Sequence, residues 1–225
     1  MKSILFNIVS AVAVVAYFVP VAILLLKKLW PVKPFLYFAL YWLAGGLVNV
    51  LLVCPIPRQA AETITLLYNM LDMPAVMAIF YITTSSLPIK RFAGIGLVTF
   101  TGVEVVNLIF RGLHFESLKY TLAIGLLLVL TLIVWEIIWY LQKITHTSRE
   151  KGLLFIYAAL LFEYGTYIII YIFEYYLNHI SSATDNYLVY YISSVVALII
   201  ATCGYLTKGI TRGMRKMDGG SITNL

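Results

Sequence analysis

Seven stretches of this 225-residue chain are apolar for long enough to cross a lipid bilayer as helices. A hydrocarbon core of about 30 Å needs about 20 helical residues. The stretches cover approximately residues 4–26, 35–53, 63–84, 92–110, 120–142, 153–177 and 187–207. Each is continuously apolar and lacks the period-two alternation of a barrel strand. The expected fold is therefore all-α, a polytopic membrane protein built as a single seven-helix bundle. Composition agrees, with 62% apolar and 12% charged residues against about 45–50% and about 25% in soluble domains. A soluble globule of this size has too little interior for so much apolar surface. A soluble enzyme, a nucleic-acid-binding domain and a disordered chain are excluded on those grounds.

The segments between the stretches, at 27–34, 54–62, 85–91, 111–119, 143–152 and 178–186, are short. They leave no room for an inserted soluble domain, so residues 1–208 read as one transmembrane domain and 209–225 as a basic tail. The first stretch has Lys2 in front and a small-residue run at Ala11-Val12-Ala13, as a signal peptide does. It continues about ten residues further, to Lys27-Lys28, and reads as a retained helix.

Net charge is +6. In a membrane chain this reflects topology, because Lys and Arg collect in cytoplasmic loops. Lys27, Lys28, Lys33, Lys90, Arg91, Lys143, Arg149, Lys151, Lys208, Arg212, Arg215 and Lys216 fall on one side. Lys2, Arg58, Arg111 and Lys119 fall on the other. The asymmetry predicts the N-terminus outside and the C-terminus inside. Cys54 and Cys203 then lie at opposite faces, too far apart for a disulfide. His114, His146 and His179 all lie between stretches, so no intramembrane haem or zinc site is expected, and no other metal or cofactor.

The acids inside the stretches carry the chemistry. They are Asp72 in the third, Glu104 in the fourth, Glu136 in the fifth, and Glu163 and Glu174 in the sixth. A carboxylate near the bilayer centre costs about 2.5–3.5 kcal/mol on insertion scales. No Lys or Arg is available at that depth. Such an acid is protonated, lines a hydrated cavity or holds a cation. At about 1.5 Å per residue, Asp72 and Glu104 share an outer-middle level, Glu136 and Glu163 an inner-middle level, and Glu174 lies near the outer rim.

Polar neighbours suit an interior site. Tyr68 and Asn69 stand four and three residues before Asp72, on its helix face. Asn107 follows Glu104 by three, and Asn49 is a further mid-membrane amide in the second stretch. Pro74 removes a helical hydrogen bond near Met70 and favours a kink. In the sixth stretch Glu163, Tyr167, Tyr171 and Glu174 share one stripe. Tyr164, Tyr167 and Tyr171 are too deep for an interfacial belt and either pack in the core or line a pocket. Asp72, Glu104 and Glu163 are the candidate proton- or cation-binding residues. Tyr68, Asn69, Asn107, Tyr167, Tyr171 and Glu136 are the supporting polar groups. The bland alternative is that these groups glue helices together, at about 0.6–2 kcal/mol per hydrogen bond. Gly45-Gly46 and the stripe Ser194, Ala197, Ala201, Gly204 read as close helix contacts.

In helix count, orientation and length the layout resembles the microbial rhodopsins, with Tyr68, Asp72 and Pro74 similar to features of their third helix. It departs from them in the seventh stretch, which has no Lys before Lys208, so a retinal Schiff base is not expected. The third stretch ends Tyr81-Ile82-Thr83-Thr84 without a D-R-Y-like triplet, and the seventh has no N-P-x-x-Y. Signatures of G-protein-coupled receptors are therefore missing. Nor does a three-plus-one-plus-three transporter repeat emerge, because Pro20 and Pro74 have no counterparts in the fifth and sixth stretches. As a layout, the whole chain resembles small seven-helix bacterial membrane proteins, which implies a multi-pass protein of the bacterial inner membrane.

The favoured reading is proton- or cation-linked permeation or transport through an acid- and Tyr-lined interior. The rivals are a receptor-like sensor of a small apolar ligand or lipid, and a structural subunit of a membrane complex. Catalysis is not expected: there is no Gly-x-Ser-x-Gly, no intramembrane His and a single helical Asp. A carboxylate pair leaves acid–base chemistry as the residual enzymatic reading. The expected partners are the bilayer and a small ligand or cation, with no nucleic acid.

Overall fold

The computed structural model describes residues 2–175 and 183–210. Among them the regular structure is helical throughout. The helices are α1 (Lys2–Ala16), α2 (Val19–Leu26), α3 (Lys33–Val53), α4 (Arg58–Thr83), α5 (Leu87–Arg111), α6 (Phe115–Leu141), α7 (Ser148–Tyr175) and α8 (Ala183–Leu206). Seven spans are long and apolar enough to cross a membrane, with α1 and α2 together forming the first, Ile4–Leu26. The all-α, seven-span expectation is met, and such helices are compatible with an integral, multi-pass membrane protein. His179 and the tail beyond residue 210, with Arg212, Arg215 and Lys216, lie outside the described residues, as do the side chains of Glu174, Tyr175, Tyr176 and Tyr187.

The first span is not one rod. Pro20 has no N–H to give, and its ring clashes with the carbonyl four residues back. α1 accordingly stops at Ala16, one tightened turn follows (Phe18 N to Val15 O, 3.1 Å), and α2 starts at Val19 with Pro20 in its first turn. α4, by contrast, runs as a single helix through Pro74.

Several helices start before the apolar run does. α7 opens with a reciprocal cap: Glu150 accepts from Thr147 N at 2.9 Å, and Glu150 N donates to Thr147 Oγ1 at 3.2 Å. α5 begins at Leu87, with Pro88 at a position where a missing N–H costs nothing. It ends at Gly112, whose φ of 74° suits a residue without Cβ.

Six spans close into a ring. α3 packs on α2 and α4, α4 on α6, α6 on α7, α7 on α8, and α8 on both α1 and α2. α3 also reaches α7 across the middle. The seventh span, α5, lies against α4 and α6. Two close approaches lock the ring. A Cβ on Gly204 would meet the Gly152 carbonyl oxygen at 2.6 Å, and one on Gly152 would meet that of Gly204 at 2.9 Å, so α7 and α8 touch backbone to backbone. A Cβ on Gly46 would lie 2.8 Å from Cβ of Tyr17, which seats the break of the first span against α3. These glycines, with the fully buried Ser194, Ala197 and Ala201, behave as close-contact residues.

Val32, Thr83, Ser85, Tyr140, Thr147 and Gly209 line one cavity, so the loops after α2, α4 and α6 and the end of α8 gather at one end. Lys27, Lys28, Lys90, Arg91, Lys143, Arg149, Lys151 and Lys208 belong to the same loops and helix ends, so this is the basic end of the bundle.

Candidate functional site

A hydrogen-bonded cluster fills the middle of the ring, between α3, α4 and α7. Asp72 is buried on α4. Tyr164 of α7 donates to its Oδ2 at 2.6 Å, and Tyr41 of α3 shares a hydrogen bond with that phenol at 3.0 Å. The hydroxyls of Tyr41 and Tyr68 stand beside the same carboxyl, yet Oδ1 has no hydrogen-bond partner among the described residues. Glu163, adjacent to Tyr164 on α7, is also buried. Its Oε2 accepts from Trp42 Nε1 of α3 at 3.3 Å, and its Oε1 accepts from Tyr167 at 3.2 Å. Asp72 and Glu163 lie near enough to act on one another electrostatically.

Helix geometry explains the gathering. Tyr41 and Trp42 are adjacent on α3, and each reaches one of the adjacent pair Tyr164 and Glu163 on α7. Tyr167 is one turn beyond Glu163 and folds back onto it. Gly45 makes room one turn further along α3: a Cβ there would stand 3.0 Å from the Tyr68 hydroxyl. The break at Pro20 brings Tyr17 into the same region. Its hydroxyl donates to Ser194 Oγ at 3.1 Å and lies 3.1 Å from the Tyr190 hydroxyl, both on α8. The Tyr190 ring stacks on Tyr167, with centroids 5.5 Å apart and 15° between planes. Asn49 donates to Gly45 O at 2.9 Å and so caps its own helix turn.

The other sequence-selected residues lie elsewhere. Glu104 of α5 is buried, but among the described residues neither carboxyl oxygen has a partner, nor does the Thr101 hydroxyl one turn away. Asn107 donates to Ser117 O at 2.6 Å and ties α5 to the start of α6. Tyr171 donates to Lys119 O at 2.6 Å at that same end. Asn69 is half-buried and is not among the donors to Asp72. Glu136 of α6 is fully buried and accepts from Thr84 Oγ1 at 2.8 Å. Depth along each helix therefore did not decide the pairing. Asp72 joins Glu163, while Glu104 sits on α5, which packs only against α4 and α6 among the strongly contacting helices.

Sequence reasoning passed over Tyr17, Tyr41 and Trp42. A signal existed for Trp42, since a mid-membrane indole N–H needs an acceptor. The described ion pairs Arg58–Glu62 and Lys143–Glu150 are both away from the cluster. In the sequence, Lys and Arg fall only toward the ends of the spans. The cluster is thus built from two acids faced by phenols and an indole. It can hold a proton or a cation, and it offers hydroxyl donors and acceptors on both sides of the acids.

Comparison with protein-family models, curated proteins and solved structures returns no match.

Proposed function

We propose that the protein carries out proton- or cation-linked permeation or transport, with Asp72 and Glu163 as its central acceptor pair. The observation that supports this reading is the convergence of two buried carboxyls, from α4 and α7, in one cluster of phenols and an indole whose rings touch. Each carboxylate at such depth costs about 2.5–3.5 kcal/mol on insertion scales. A hydrogen bond that glues helices together returns only about 0.6–2 kcal/mol. Two interacting acids with no cationic partner among the described residues are a poor way to obtain that contact. They are a good way to hold a mobile positive charge. Tyr164, Tyr167 and Trp42 orient the two carboxyls, and Tyr17, Tyr68 and Tyr190 extend the hydroxyl lining.

The asymmetry of basic residues supports a bacterial inner-membrane protein with the basic end in the cytoplasm. Glu104 stands apart from the pair and is not assigned an acceptor role. The test is ion flux in proteoliposomes with Asp72→Asn and Glu163→Gln. These changes keep size and much of the hydrogen bonding but remove the exchangeable charge.

A further inference from the structure

At the basic end a cavity of about 530 Å³ opens between the loops, lined among others by Thr83, Ser85, Tyr140, Thr147 and Arg149. Glu136 lies behind its wall. Thr84, between the lining residues Thr83 and Ser85, donates to Glu136 Oε2, and the lining residue Tyr140 is one helical turn from Glu136. The other carboxyl oxygen, Oε1, is buried without a partner among the described residues. The hydroxyl of the fully buried Tyr157 faces that of Tyr140, with ring centroids 5.7 Å apart. A buried acceptor left open has lost its water without gaining a replacement. An open carboxyl oxygen beside a cavity, with two phenols next to it, is the arrangement that a guest would complete.

An apolar layer divides this place from the central pair. Phe80 stacks on Tyr157 at 5.4 Å, and Phe38 meets both rings edge-on at 6.0 and 5.8 Å. Phe38 is one turn from Trp42, the donor to Glu163. All three rings are fully buried.

We propose that Glu136, with Thr84 and Tyr157, is a second acceptor site for a small cation, a proton or an alkali ion, loaded from the basic-end cavity and separated from Asp72 and Glu163 by the Phe38–Phe80–Tyr157 layer. The proposal rests on the cation-linked reading but is tested without flux. The titratable and charged groups around Glu136 are Tyr140 and Lys143 on its own element and the segment after it, and Tyr157 on α7. Arg149 and Glu150 stand further out, toward Tyr140.

A water-soluble carbodiimide with an amine nucleophile is applied to sealed vesicles holding the full chain, from one face or the other. Modification of Glu136 is read by mass spectrometry. The expected result is modification from the basic face at least several-fold faster than from the other. Sodium chloride, compared with choline chloride at equal strength, slows it if the guest is an alkali ion. If the guest is a proton, the two salts give equal rates and labelling falls as pH rises. A second variant guards against trivial exposure. Cys54 and Cys203 are replaced by Ser, and the exposed Ser85 by Cys. A bulky maleimide on that cysteine then closes the cavity and cuts labelling several-fold. Labelling that is absent from the basic face, equal from both faces, indifferent to both sodium and pH, or unaffected by the maleimide overturns the proposal. Labelling as expected alongside absent flux would leave this site standing and remove the transport reading. Flux without labelling would do the reverse.

Discussion

Tyr164 holds Asp72 with a 2.6 Å hydrogen bond across the bundle, and the residue before it, Glu163, is held by Trp42. Two consecutive residues of α7 thus face two different partners, one carboxyl receiving a phenol and one receiving an indole. Tyr164→Phe removes the satisfied end of the Asp72 carboxyl, whose other oxygen is already open. The expected cost is about 1–3 kcal/mol, read as a lower melting temperature in detergent. Tyr41→Phe removes a link between two hydroxyls and costs less. A larger loss for Tyr41→Phe would mean that Tyr41, rather than Tyr164, carries the carboxyl.

The backbone contact between α7 and α8 ranks three glycine substitutions. Gly204→Ala would press a methyl against a carbonyl oxygen at 2.6 Å, Gly46→Ala against Tyr17 Cβ at 2.8 Å, and Gly45→Ala against the far end of the Tyr68 side chain at 3.0 Å. Backbone cannot yield as a phenol can. Thermal unfolding should show Gly204→Ala as the most damaging and Gly45→Ala as the mildest, with overpacking costs of about 1–3 kcal/mol for the severe cases.

Glu104 provides the internal control. Its carboxyl has no hydrogen-bond partner among the described residues, and its helix packs on α4 and α6 rather than facing the central cluster. Glu104→Gln should leave flux at the wild-type rate in the same vesicles that report on Asp72 and Glu163. Loss of flux in Glu104→Gln would place a third acid on the path.

The helix count and the identity of the central acids were legible in the sequence, because lipid forces every span to be long, apolar and internally hydrogen-bonded. Tyr68, Asp72, Glu163 and Tyr167 were found by their depth and helical spacing. Partner choice was not legible. Asp72 was matched to Glu104 by depth, but depth fixes a level and not a neighbour, and α4 faces α7's residues through Tyr164. Tyr17 was missed although Pro20, three residues on, was the available signal of a break in the first span. Tyr41 and Trp42 were passed over, and although the indole N–H called for an acceptor, the sequence did not say which. Their polar atoms gain meaning only when α3 crosses α7. The starts of α5 and α7 were placed several residues late because apolarity was followed in preference to capping; Thr147-x-x-Glu150 was the available signal.

The central claim is that Asp72 and Glu163 carry exchangeable positive charge. Its most direct test is proton or alkali-ion flux into proteoliposomes under an imposed gradient, for wild type, Asp72→Asn and Glu163→Gln, with folding of each checked by thermal unfolding. The account predicts flux in wild type and at least a tenfold loss in both variants, with melting temperatures close to that of wild type. Equal flux in all three proteins, or flux in none, would contradict it.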